Sequence, residues 1–254
     1  MGLVAIIGGS GFDTYDSLVV NDAIIRETPY GNHSGPILMG RLGNSRCVFL
    51  PRHGAGHKTP PHQVNYRANL WMLKELGVTD VIACNVVGGI TSHMSPDTIV
   101  IPDQLIDYTY GRENTFYDGM QSHLLGKNFE NLSHIDFTSP YSEPLRQKII
   151  KFFEASQLDC VPRGVYACTQ GPRLESIAEI ERLKRDGCNI VGMTGMPEVG
   201  LAREIGIEYV CVALVVNWAA GVATETLSMV DIMHTVRKNM GEIKSLMPKL
   251  IAYL

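Results

Sequence analysis

Short apolar runs of strand length alternate with amphipathic helical stretches along this chain, and that alternation limits the folds open to it. The runs are "LVAII" (3–7), "RCVFL" (46–50), "DVIACNVV" (80–87), "TIVIP" (98–102), "NIVGM" (189–193) and "YVCVALVV" (209–216). They are rich in β-branched residues and bounded by turn residues, as core strands are. Between them, "NYRANLWMLKELG" (65–77), "LESIAEIERLKRDG" (174–187) and "MPEVGLAREIG" (196–206) carry apolar residues near a 3.6-residue period, and each stops at a glycine. The tail 229–254 reads as one long amphipathic helix, bent near Pro248. Strands alternating with helices predict an α/β fold with a mixed central β-sheet flanked by helices. With 254 residues and 45% hydrophobic content the chain can fill one large core, and no linker divides it, so residues 1–254 are expected to form a single domain. The stretch 108–143 breaks the rhythm: it is polar and long for a connection, as functional or disordered loops are.

Composition removes several classes of function. The formal net charge is -4 and no basic run occurs, which argues against nucleic acid and anionic membranes as partners. The chain enters its first strand without a charged leader, and its apolar runs are too short to span a bilayer. Six scattered cysteines without a C-x-x-C pair read as buried free thiols in a reducing cytoplasm. The 8 histidines show no metal-ligand spacing, and His53, His57 and His62 are separated from a common helical face by Pro60 and Pro61, so no metal is expected.

Polar residues gather where the strands end. "IIGGSGFD" (6–13) follows a strand, but its third fingerprint position is Thr14, so a dinucleotide site is disfavoured. Gly9, Ser10 and Gly11 suit either an anion loop or a plain tight turn. "FLPRHGAGH" (49–57) delivers Arg52 and His53 from a strand; the pair fits phosphate, or a surface position. "NVVGGI" (85–90) ends a strand at Asn85 and Val86 before two glycines. Thr194 follows "NIVGM", and Asn217 closes the most apolar run of the chain. In open α/β sheets ligands collect outside the carboxyl ends of strands. Together these positions describe one pocket with an anion subsite. Glu175, near a helix start, suits either a first-turn carboxylate or a site residue.

These segments, with "PPHQVNYRAN" (60–69), "FYDG" (116–119), "GPRLES" (171–176) and "GMTGMPEVGLARE" (192–204), resemble the trimeric nucleoside phosphorylase family in order along nearly the whole chain. The family includes methylthioadenosine phosphorylases and purine nucleoside phosphorylases. The resemblance implies a homotrimer, no cofactor, and attack of inorganic phosphate on C1′ of a purine nucleoside. It assigns Ser10, Arg52, His53, Asn85, Val86 and Thr194 to phosphate, Met193 to the ribose, and Asn217 to the base, with Leu174 and Trp218 shaping the base slot.

Departures from the family's adenine pattern point to the substrate. Adenine-cleaving members show D-x-D where this chain has Asn217-Trp218-Ala219. Members that cleave 6-oxopurines have Asn at the first position and a Glu matching Glu175. A 6-oxopurine offers O6 as acceptor and N1–H as donor, which an amide donor and a carboxylate satisfy. At the sugar end, inosine and guanosine phosphorylases place a His near the 5′-hydroxyl. Here Met229, Ile232 and Met233 share one helical face and His234 falls on another. Such a stripe is usually core; in this family it borders the 5′ group, and Met suits a thioether. The expectation is phosphorolysis of a 6-oxopurine nucleoside bearing a 5′-methylthio group. A general inosine or guanosine phosphorylase, a methylthioadenosine phosphorylase, a nucleotide-dependent oxidoreductase and a non-catalytic nucleoside-binding protein are the alternatives. His57, His62 and His134 are expected at the rim, with the family placing a residue near His134 at a neighbouring subunit's pocket.

Overall fold

In chain order, the computed structural model contains β1 (Leu3–Gly8), β2 (Val19–Ile24), β3 (Ile37–Leu42) and β4 (Ser45–Pro51), then α1 (Tyr66–Glu75). β5 (Val78–Gly89), β6 (Ile99–Val100), β7 (Gln104–Asp107), α2 (Glu143–Ala155), β8 (Val165–Cys168) and α3 (Ile177–Arg185) follow. β9 (Ile190–Gly192), α4 (Gly195–Glu204), β10 (Glu208–Trp218) and α5 (Met229–Tyr253) complete the chain. The structure describes residues 2–118, 132–223 and 229–254, with the backbone alone for Met229, Asp231 and His234.

The expected mixed sheet flanked by helices is present. It runs β2-β3-β4-β1-β5-β9-β8-β7, with β10 on β5 and β6 on β10. β4, β1, β5 and β10 are mutually parallel, whereas β2–β3, β3–β4, β5–β9 and β6–β10 are antiparallel. Alternate residues of the central strands enter two cores. Ala5, Ile7, Val81, Ala83, Ala213 and Val215 pack with Leu70 and Leu73 of α1 and with Val199 and Leu201 of α4. Val4, Ile6, Ile82, Val210, Val212 and Leu214 pack with Ile149 and Phe153 of α2 and with Val236, Met240 and Ile243 of α5. Burial on both faces is why these strands read as continuous apolar runs.

Most strands that sequence reading leaves unassigned lack that signal, and one run that it assigns is cut short. β2 (VVNDAI) is almost wholly exposed. β7 and β8 have four residues each. "TIVIP" forms a strand over only Ile99–Val100. α2 does carry helix signals: Ser142 accepts from the Leu145 N–H, Glu143 sits in the first turn, and Leu145, Ile149, Ile150, Phe152 and Phe153 are buried.

One feature of the sheet creates the site. β1 pairs with β5 as far as Ile7↔Ala83. β9 takes the same edge of β5 only at Gly88↔Val191. β10 occupies the opposite edge throughout. Between β1 and β9 the sheet therefore splits, at a point where strand order and direction change.

Local signals fix the loop that enters this split from β8. Ser176 caps α3 in a capping box: it accepts from the Glu179 N–H while the Glu179 carboxylate accepts from the Ser176 N–H. Glu175 lies immediately before the cap, so it is free of any capping duty. Ser176→Ala is expected to lower stability by about 1 kcal/mol. Urea denaturation with an unchanged m-value would register it.

Candidate active site

A cavity of about 470 Å³ opens at the split, a size suited to a small organic ligand. Its wall carries Ser10, Arg52, His53, Val86 and Thr194, and also Leu174, Glu175, Met193, Asn217 and Ala219. Ile232, Met233 and Val236 of α5 close a further side. Four residues named from the sequence stand elsewhere. Asn85 is buried behind the wall, and Trp218 and His62 do not line the cavity. His57 does line it, whereas His134 is exposed and does not. The Met229 side chain lies outside the described residues.

Arg52 is the centre of a buried polar chain. Its Nε and Nη2 donate to the two carboxylate oxygens of Glu198 at 2.7 and 2.8 Å, and both side chains are fully buried. Nη1 donates to the Cys84 carbonyl at 3.1 Å, on the edge of β5 that the split exposes. Nη2 also reaches Asn85 Oδ1 at 3.4 Å. Of five guanidinium N–H groups one, on Nη1, has no partner among the described residues. The fork that the sequence suggests for phosphate is thus already occupied by Glu198, because an unpaired guanidinium could not be buried so deeply. Burial opposes the charge on Arg52, but Glu198 outweighs it and the guanidinium pKa is raised. Tyr209 Oη donates to the same carboxylate at 2.7 Å.

The chain's polarity continues to the cavity. With Oδ1 facing Arg52, Asn85 Nδ2 donates to Thr194 Oγ1 at 2.8 Å; this orientation is assigned from the network. Thr194 then has its own proton to give to a ligand. Thr194 is the N-cap of α4, yet its side chain makes no cap bond. The glycine loop sits directly above. A Cβ on Gly9 would lie 2.9 Å from Arg52 Nη1, and Gly11 has φ of +74°. Both positions therefore call for glycine.

His53 has a defined tautomer. Its Nδ1 stands 2.8 Å from the Thr59 carbonyl, so Nδ1 carries the proton and Nε2 the lone pair. Burial first, then the charge of Arg52, pushes its pKa down to about 3. The imidazole is neutral at physiological pH.

The base-side residues are placed by a β-bulge. The register of β10 against β5 shifts between Val215 and Asn217. Val216 and Asn217 consequently both line the cavity, where a regular strand would alternate them. The strand does not end on this amide, as the sequence suggests, but runs on to Trp218. Asn217 Nδ2 donates to the Trp218 carbonyl at 2.7 Å, and among the described residues one amide hydrogen and Oδ1 have no other partner. Glu175 Oε1 accepts from Thr169 Oγ1 at 2.6 Å, which steers the carboxylate, and Oε2 has no partner among the described residues. Arg112 secures the surrounding loops by donating to the carbonyls of Thr169, Gln170, Met193 and Met196. Sequence reading missed Glu198 and Arg112. Glu198 had a signal, an acid on the buried face of the "MPEVG" helix; Arg112, in an irregular stretch, had none.

Comparison with known proteins identifies the family and the fold. The family model described as "Phosphorylase superfamily" matches residues 3–252. A probable S-methyl-5′-thioinosine phosphorylase of Pseudomonas syringae pv. tomato is 46% identical over 252 residues, 99% of this chain and 99% of that protein. The 6-oxopurine nucleoside phosphorylase of Pyrococcus furiosus is 41% identical, over 96% of this chain and 89% of its own length. Among solved structures, methylthioadenosine phosphorylase from Schistosoma mansoni in complex with adenine superposes with a TM-score of 0.90 at 33% identity, covering 99% and 91% of the two chains.

Proposed function

The chain belongs to the phosphorylase superfamily, and from that premise we propose that it cleaves the N-glycosidic bond of S-methyl-5′-thioinosine with inorganic phosphate. The products are hypoxanthine and 5-methylthioribose 1-phosphate. The observation that carries the reading is the pairing of Asn217 and Glu175 in one cavity that α5 closes with apolar side chains. An amide and a carboxylate match O6 and N1–H of hypoxanthine. Ile232, Met233 and Val236 offer a methylthio group no polar partner and a 5′-hydroxyl none either.

In this proposal phosphate sits among Ser10, Arg52, His53, Val86 and Thr194. Its oxygens receive the last Arg52 N–H and the Thr194 proton. Met193 lies against the ribose. As the C1′–N9 bond breaks, the ribosyl group gains oxocarbenium character and the phosphate charge stabilises it. One phosphate oxygen bonds to C1′, and the bonding pair leaves with the purine. Asn217 holds the departing base through O6 and N7, and Glu175 through N1–H. Positioning and electrostatics supply the catalysis, without a covalent intermediate or a cofactor. The resemblance further supports a single-domain protomer acting as a homotrimer in the cytoplasm.

The test is a nucleoside panel with and without phosphate. Release of free hypoxanthine from methylthioinosine should require phosphate or arsenate. Equal release in phosphate-free buffer would make the protein a hydrolase. Faster turnover of inosine or guanosine would instead make it a general 6-oxopurine phosphorylase. Thr194→Val keeps the side-chain volume but removes the donor to the anion. A hydrogen bond to a charged group is worth roughly 1.5–3 kcal/mol, so the KM for phosphate should rise about 10- to 100-fold while that for nucleoside changes little. An unchanged phosphate KM would take Thr194 out of the anion subsite.

A further inference from the structure

The anion subsite assigned above consists almost entirely of donors. Thr194 offers a hydroxyl proton, Arg52 offers its remaining Nη1–H, and the Ser10 hydroxyl can turn to donate either to the anion or to His57 Nε2, 3.5 Å away. His53 is the exception. Its Nδ1–H is fixed on the Thr59 carbonyl, and the Thr59 N–H returns a bond of 3.0 Å to the His53 backbone carbonyl, so the loop that orients the ring is itself tied to His53. Nε2, with its lone pair, has no hydrogen-bond partner among the described residues, and the ring lines the cavity. The surrounding charges do not favour adding a proton to it. Arg52 is adjacent and balanced by Glu198 behind it. The His57 ring lies 4.2 Å away with its own pKa lowered, mainly by burial, although Asp13 opposes that shift. Lys58, between His57 and Thr59 in the chain, adds a second cation to the cavity wall, and Glu175 also lines it.

A tetrahedral anion held here must therefore present one proton to one acceptor. Hydrogen phosphate and hydrogen arsenate carry that proton as P–OH or As–OH. Sulfate has the same size and charge as hydrogen phosphate but no proton. We propose that His53 is the residue that distinguishes these anions, its Nε2 accepting the P–OH of hydrogen phosphate, so that sulfate can be held only after His53 has taken a proton from water. This rests on the reading of the cavity as a phosphate site and deepens it.

The proposal predicts different pH dependences for two anions at one site. Because the His53 pKa is lowered to about 3, the ring is uncharged through the neutral and alkaline range. Binding that needs one extra proton then weakens about tenfold per pH unit. Sulfate should compete with phosphate in mildly acidic buffer and lose potency with that slope as pH rises. The KM for phosphate should stay level once the dianion is the main free species. Calorimetry in two buffers of different ionisation enthalpy should show about one proton taken up with sulfate and none with phosphate. His53→Gln places a non-titrating amide there, and its sulfate inhibition should be flat with pH. Equal pH profiles for the two anions in the wild type would overturn the proposal, whether or not the variant folds. If sulfate fails to compete even in acidic buffer while activity still requires phosphate, the role of His53 is wrong but the phosphate site stands. If activity does not require phosphate, the site assignment falls as well.

Discussion

The protein is expected to cleave S-methyl-5′-thioinosine with a kcat/KM at least about 10³ times that for methylthioadenosine. Adenine presents an amino donor at N6 and a bare acceptor at N1. The open Glu175 oxygen would face bare N1, and the free Asn217 amide hydrogen would face the N6 amino group. Both site groups are left unpaired by the wrong base, and two such mismatches multiply. Three substitutions probe this. Glu175→Ser removes the repulsion at N1, Asn217→Asp supplies an acceptor for N6, and Ala219→Asp restores the second acid of the adenine pattern. The structure predicts a large loss from Asn217→Asp alone, because its carboxylate would replace a donor that bonds the Trp218 carbonyl at 2.7 Å. Ala219 is buried among Ile90, Val191 and Leu183, so the third change should also lower stability. The triple variant should shift preference toward methylthioadenosine at a reduced rate. Comparable wild-type turnover of the two nucleosides would remove Asn217 and Glu175 from base recognition.

The largest effect on stability is expected at Glu198. Glu198→Ala leaves Arg52 as a buried cation without its carboxylate and removes the partner of Tyr209. Breaking a buried pair from one side is expected to cost about 3–5 kcal/mol, enough to use up much of a typical folding free energy. Chemical denaturation measures it directly. Glu198→Gln keeps one acceptor and most of the volume, so it should lose less and remain folded for kinetics. In that variant the guanidinium is no longer held by a two-point fork, and the phosphate KM should change more than the nucleoside KM. A loss under about 1 kcal/mol for Glu198→Ala would mean that Arg52 finds water or another partner instead.

The sequence by itself determined the layer architecture and most of the cavity's membership. Strand and helix periods are local signals, and burial of both sheet faces made β1, β4, β5 and β10 plain as apolar runs. The rule that ligands gather at carboxyl ends of strands then collected Ser10, Arg52, His53, Asn85, Val86, Thr194 and Asn217 into one pocket, and all but Asn85 line the cavity. Weakly patterned elements escaped it: β2 is exposed, and β7 and β8 are short. Only the tertiary structure decided what those site residues have left to offer. The Arg52 fork is taken by an acid 146 positions away. The bulge that turns Asn217 inward exists only in register against β5. The His53 proton is placed by a carbonyl six residues on, brought round by the loop's fold. A side chain's type is written in the sequence, but its free valences are what remains after its neighbours in space have been satisfied. In a buried site those neighbours are set by strand pairing and packing across the whole chain.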